Sequence, residues 1–78
     1  MKVIGIQKNV EFDYSGNHFK GLNLFVTYEA SSVEGVATNK YFMNMDKPIY
    51  KDALQVKLGD EINFQYNRFG KPESLVIL

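Results

Sequence analysis

Two short stretches of the chain interleave aromatic rings with cations: His18, Phe19 and Lys20 in the first, and Tyr66, Asn67, Arg68, Phe69, Gly70 and Lys71 in the second. An exposed ring offers a π face on which a nucleobase stacks, worth about 1–3 kcal/mol per base, and flanking cations meet the phosphates of the same strand. Both stretches carry turn residues, so they read as hairpin tips. Two further rings belong to strand interiors. Phe25 shares a strand face with Asn23 and Thr27, and Tyr41 shares one with Asn39 and Met43, so both are expected to project outward from the middle of a sheet. The candidate nucleic-acid-binding set is therefore Phe19, Lys20, Phe25, Tyr41, Arg68, Phe69 and Lys71. Each feature also has a plainer reading. Basic residues in turns are ordinarily solvated, Phe69 can fold back over the end of a core, and outward rings can form a dimer interface.

Other chemistries find little support. A nucleophilic site needs a base beside an activated Ser, Thr or Cys, and the single histidine, His18, lies in a polar turn beside Gly16 and Asn17. Asp13 with His18 is too small a set to hold a metal. Asp60 and Glu61 are adjacent at a strand start and point to opposite faces, so they are not a carboxylate pair. No glycine-rich phosphate loop is present. The expectation is no enzyme activity, no metal and no cofactor.

Nine basic residues balance nine acidic ones, which argues against affinity resting on phosphate neutralisation alone. Binding of nucleic acid then requires cations gathered on one face and a large share of the energy from stacking. The absence of cysteine fits a reducing compartment, and the apolar opening Met1 to Ile6 gives way to Gln7, Lys8 and Asn9 too early for an export signal. No apolar run approaches the roughly 18 residues that span a bilayer, and neither end carries a lipidation motif. A cytoplasmic protein without membrane contact is expected.

The elements that must position these groups are mostly strands. Ile4, Ile6, Lys8, Val10, Phe12 and Tyr14 alternate against Val3, Gly5, Gln7, Asn9, Glu11 and Asp13 in a long first strand, with Gly5 available for a kink. Ser15, Gly16 and Asn17 turn it. A second strand runs from about Phe19 to Glu29, and a small, acidic loop from Ala30 to Gly35 leads to a third, from Val36 to about Met45. Lys47 and Pro48 end that strand, and Tyr50 to Leu54 form a turn of helix. Ile62, Phe64 and Tyr66 alternate against Glu61, Asn63, Gln65 and Asn67 in a fourth strand; Arg68 to Pro72 turn the chain into a last one, Ser74 to Leu78. Phe12, Tyr28, Phe64 and Phe42 run in phase with aliphatic neighbours and are assigned to the interior.

No repeat or linker interrupts the chain, so residues 1–78 read as one domain. The pattern is all-β: a small five-stranded barrel of the oligonucleotide-binding type (OB-fold-like), with one short helix between strands three and four. Five short strands also make SH3-type barrels, and Leu58, Gly59, Asp60, Glu61, Ile62 suits both. Such a small chain buries a limited core, and without cysteines self-association is the remaining route to extra stability.

The layout resembles the small helix-destabilising, single-stranded DNA-binding proteins of filamentous phages. The residues that carry the likeness are the amino-terminal strand Val3 to Phe12, the basic hairpin Gly16 to Gly21, and the closing Phe69, Gly70, Lys71 followed by Leu75 to Leu78. Met1 to Phe12 and Leu58 to Tyr66 also look like short proteins of phages and conjugative elements of Gram-positive bacteria. The resemblance implies a homodimer that coats single-stranded DNA during replication of a mobile element, through Phe19 and Lys20 in one hairpin and Arg68, Phe69 and Lys71 in the other. The acidic run Glu29 to Glu34 and the zero net charge depart from that pattern. The competing expectation is a protein-binding adaptor or inhibitor that presents Tyr41, Phe25, Met43 and Met45 to a protein partner.

Overall fold

The computed structural model describes residues 1–78. The chain is mostly β, in the order β1 (Lys2–Tyr14), β2 (Asn17–Tyr28), β3 (Ala37–Asn44), α1 (Ile49–Ala53), β4 (Ile62–Tyr66) and β5 (Pro72–Ile77). Its strands form two antiparallel sheets, β1-β2-β3 and β4-β5. Tyr14 pairs with Asn17 across a two-residue turn in which Ser15 and Gly16 have φ of 51° and 79°. Positive φ at both central positions is the type I′ turn, whose twist matches that of the strands it joins.

The sheets are stitched together along one side only. Val3 N–H donates to the Asp60 carbonyl at 2.9 Å, Gly59 N–H to Val3 at 2.8 Å and Ile62 N–H to Met1 at 2.8 Å, around a bridge between Lys2 and Glu61. The amino-terminal ammonium donates to the Ile62 carbonyl at 3.0 Å and lies 3.6 Å from Glu61. On the opposite side β3 and β5 do not pair. Helix α1 packs against β2, β3 and β5 there, placing Ile49 and Ala53 in the core with Val3, Leu22, Leu24, Val26, Met43, Val56, Ile62, Phe64 and Leu75.

The first strand departs from simple alternation. Val3 faces Val26, Gly5 faces Phe25, Gln7 faces Asn23 and Val10 faces Gly21, so β1 carries one extra residue at Ile4 and another within Lys8–Asn9. Asn9 absorbs the second bulge at φ 58°. Each extra residue moves the following side chains to the other face. Val3 is fully buried and Ile4, the extra residue of the first bulge, is half exposed; Ile6 packs against the core, and the second bulge puts Phe12 on the face opposite to it, outside the core at 41% exposure. Three interior assignments are corrected, the first by the β1 bulges and the other two by position in the regular β2–β3 pairing. Phe12 is on the outer face, Phe42 pairs with outward Asn23, and Tyr28, at the end of β2, is 38% exposed. Phe64 is in the core as expected.

Candidate nucleic-acid interface

The outer face of the three-stranded sheet is built by cross-strand register. Phe25 lies between Gly5 and Lys40, Asn23 between Gln7 and Phe42, Gly21 between Val10 and Asn44, and Phe19 opposite Phe12. Four phenylalanines thus share one face. The Phe12 and Phe19 rings stack at 5.2 Å, and Phe42 meets Phe12 edge-on at 5.0 Å, an arrangement favoured by the ring quadrupoles. Gln7 and Asn23 occupy the row between Phe25 and this cluster, the Asn23 amide donating to Gln7 Oε1 at 3.2 Å.

Glycines make room for these rings. A Cβ on Gly5 would stand 3.3 Å from Phe25, and one on Gly21 would stand 2.9 Å from the Phe42 ring. Gly21 is thus the position over which Phe42 reaches toward Phe12. A glycine within a strand often marks such close approach.

The unpaired seam between β3 and β5 is a groove of about 650 Å³. Tyr41, Phe42, Met43 and Asn44 line it from β3, Lys47, Pro48 and Ile49 from the start of α1, and Asn67, Lys71, Pro72 and Glu73 from the other sheet. Phe42 belongs both to this groove and to the aromatic cluster. Beyond Asn67 the groove leads to the β4–β5 turn. Asn67 Oδ1 accepts from Phe69 N–H at 2.9 Å and Lys71 N–H at 3.1 Å, while its backbone binds Lys71 and Gly70. This asparagine-centred turn presents Phe69 at 72% exposure, with the Arg68 guanidinium 5.0 Å from the ring centroid.

Each seam edge has a backbone N–H in its middle that is occupied by a side chain, and a turn follows the end of β3. Lys40 N–H donates to Asn39 Oδ1 at 2.8 Å, Leu75 N–H to Asp52 Oδ2 of α1 at 3.1 Å, and Lys47 N–H to the Asn44 carbonyl at 3.0 Å. Edges guarded like this resist addition of a foreign strand. The groove is consequently better suited to a ligand that meets side chains.

The expected site residues divide three ways. Phe19 and Phe25 lie on the outer face, and Arg68, Phe69 and Lys71 sit at the last turn and the groove, as their sequence context suggests. Tyr41 is corrected. It faces inward opposite Leu24, packs on the core and meets Phe64 at 4.7 Å, touching the groove only at its wall. Lys20 lies directly opposite Glu11 and pairs with it at 3.3 Å, so its charge is locally balanced. Sequence reasoning missed Phe12, Lys40, Phe42 and Lys47, which enter through strand pairing. The proposed adaptor face does not form as a unit: Met43 is 2% exposed, and Tyr41 and Phe25 lie on opposite faces of the sheet.

His18 Nδ1 and Asp13 Oδ1 lie 2.7 Å apart at the exposed first hairpin. No group of three metal-binding side chains forms, and no helix is long and apolar enough to cross a membrane. Comparison with protein-family models, curated proteins and solved structures finds no match.

Proposed function

We propose that the protein binds single-stranded nucleic acid without strong sequence preference, along a track from the Phe12, Phe19 and Phe42 cluster through the Lys47 and Lys71 groove to the Arg68–Phe69 turn. The observation that carries this reading is the double membership of Phe42, which joins a ring-bearing sheet face to a groove with two lysines. Bases stack on exposed rings while phosphates follow the cations, a division of labour suited to a chain whose total charge is zero. Lys40, exposed beside Phe25 and Phe42, extends the cationic border.

The same reading treats the two sheets as an OB-like barrel left open at the β3–β5 seam, with α1 closing one end. Three features support it: the β1-β2-β3 meander, the helix before β4, and the hydrogen bonds between the start of β1 and residues 59–62. The outer face of the middle strands is a customary nucleic-acid surface in that architecture. A cytoplasmic, homodimeric protein of a phage or mobile element that coats single-stranded DNA is the biological setting proposed.

The test is fluorescence anisotropy with a labelled dT strand over a salt series from about 50 to 200 mM. Affinity is expected to fall with salt. Lys47→Ala combined with Lys71→Ala should flatten the logarithmic salt slope by about 1.4, roughly 0.7 for each phosphate of a single strand that is no longer neutralised. Absence of binding at the lowest salt would reject the reading.

A further inference from the structure

We propose that Glu73 makes the groove selective for guanine at one position of the bound strand, an inference that rests on the single-strand reading above. Glu73 is the only acidic residue lining the groove, where it accompanies Lys47 and Lys71. It is the extra residue of a bulge in β5, left without a partner between Ser74 opposite Gln65 and Pro72 opposite Tyr66, and it is exposed at the wall of the groove. Neither lysine lies within ion-pair distance of its carboxylate, since the ion pairs of the protein involve Glu61, Asp13 and Glu11. An unpaired carboxylate is a poor neighbour for a phosphate, but it is a strong acceptor for N–H donors.

The bases differ in what they offer such an acceptor. Guanine presents two adjacent donors on its Watson–Crick edge, N1–H and the N2 amino group, which match the two carboxylate oxygens. Cytosine presents its amino group beside an acceptor nitrogen, adenine does the same, and thymine sets one N–H between two carbonyl oxygens. In those three bases at least one lone pair is turned toward the negative charge. Phe42 on the opposite side of the groove supplies a ring for stacking, and Lys47 and Lys71 supply donors for guanine O6 or for the flanking phosphates. Asn44 and Asn67 at the groove wall add further polar contacts without a charge. The result is one selective position within an otherwise tolerant track.

The experiment compares a dT strand of about twelve nucleotides, a length within the usual range for one such domain, with the same strand carrying one central dG or one central deoxyinosine. Anisotropy is measured with the full chain at low salt. The dG strand should bind about tenfold more tightly than the dT strand, the scale of one good two-point base contact. Deoxyinosine, which keeps N1–H and O6 but lacks the N2 amino group, should fall between them. Glu73→Gln should bring dG and dT to within about twofold, while dT itself binds more tightly because a negative charge has left the groove. Equal binding of dG and dT by the native protein overturns the inference and leaves the single-strand reading intact, as does a dG preference that survives Glu73→Gln. Failure of every strand to bind overturns the parent reading and this one with it.

Discussion

Phe42 lies over Gly21, so close that a Cβ at Gly21 would stand 2.9 Å from the ring and 2.0 Å from the Met43 carbonyl oxygen. The ring tip can swing aside, but the carbonyl belongs to the paired strand β3 and cannot. Gly21→Ala must therefore separate β2 from β3 at the level where the aromatic cluster forms. The expected cost is about 3 kcal/mol, the upper end for overpacking a well-filled site, read as a fall in the thermal midpoint. A midpoint within a degree or two of the parent would show that the strands are less closely apposed.

Phe64 and Tyr28 form a contrasting pair. Phe64 is 8% exposed and contacts Tyr41 and Tyr66, whereas Tyr28 is 38% exposed at the end of β2. Phe64→Ala should remove about 3–5 kcal/mol, enough to unfold much of a domain this small. Tyr28→Ala should cost less than about 1 kcal/mol. Urea unfolding followed by circular dichroism checks both, and equal losses would contradict the two burial states.

What could be read from the residue order follows from the range of the forces involved. The Ser15–Gly16 turn, the helix after Pro48 and the alternation of Ile62 and Phe64 against Asn63 are local, and they appear in the structure within a residue or two of their expected limits. The face of Phe12 is not local. It depends on the bulge at Lys8–Asn9, whose cause lies in the pairing with β2, and strict alternation from inward Ile6 sends it to the wrong side. The candidate site divides in the same way. Arg68, Phe69 and Lys71 are neighbours in sequence, but Phe42 joins Phe12 only through register. Gly5 and Gly21 were the available clue, since a glycine inside a strand calls for something that needs its empty space.

Phe69→Ala separates binding from stability. With the ring 72% exposed, its loss should leave the unfolding free energy within about 0.5 kcal/mol of the parent. If it stacks a base, affinity for a dT strand should fall by about 1–3 kcal/mol. Unchanged affinity would remove the turn from the proposed track, while a large fall in stability would mean that the ring packs on the protein.

Asn67→Ala tests whether the turn must be held in place. The substitution removes the acceptor for both Phe69 N–H and Lys71 N–H while leaving the ring and the cations in the chain. These are exposed contacts, so stability should fall by only about 1 kcal/mol. Strand affinity should fall further than that loss explains, because the ring and cations must be ordered again on binding. Matching affinities for Asn67→Ala and the parent would show that the turn's order contributes nothing to binding.

Asp52→Ala addresses the seam itself. The carboxylate on α1 accepts the Leu75 N–H that faces away from β4, and so ties the helix to the edge of the second sheet. Removing it leaves that amide to the seam and loosens α1 beside Ile49 and Ala53, both of which are buried. A hydrogen bond to a charged group contributes about 1.5–3 kcal/mol, and an equilibrium unfolding series should show a loss of that size. The consequence for the edge is separate from the consequence for stability. With Leu75 N–H unguarded, the free side of β5 becomes a better template for strand pairing between molecules. Sedimentation at increasing concentration, under conditions where the variant remains folded, should therefore show more self-association than the parent. A folded variant that associates no more than the parent would mean that Asp52 anchors the helix without protecting the edge.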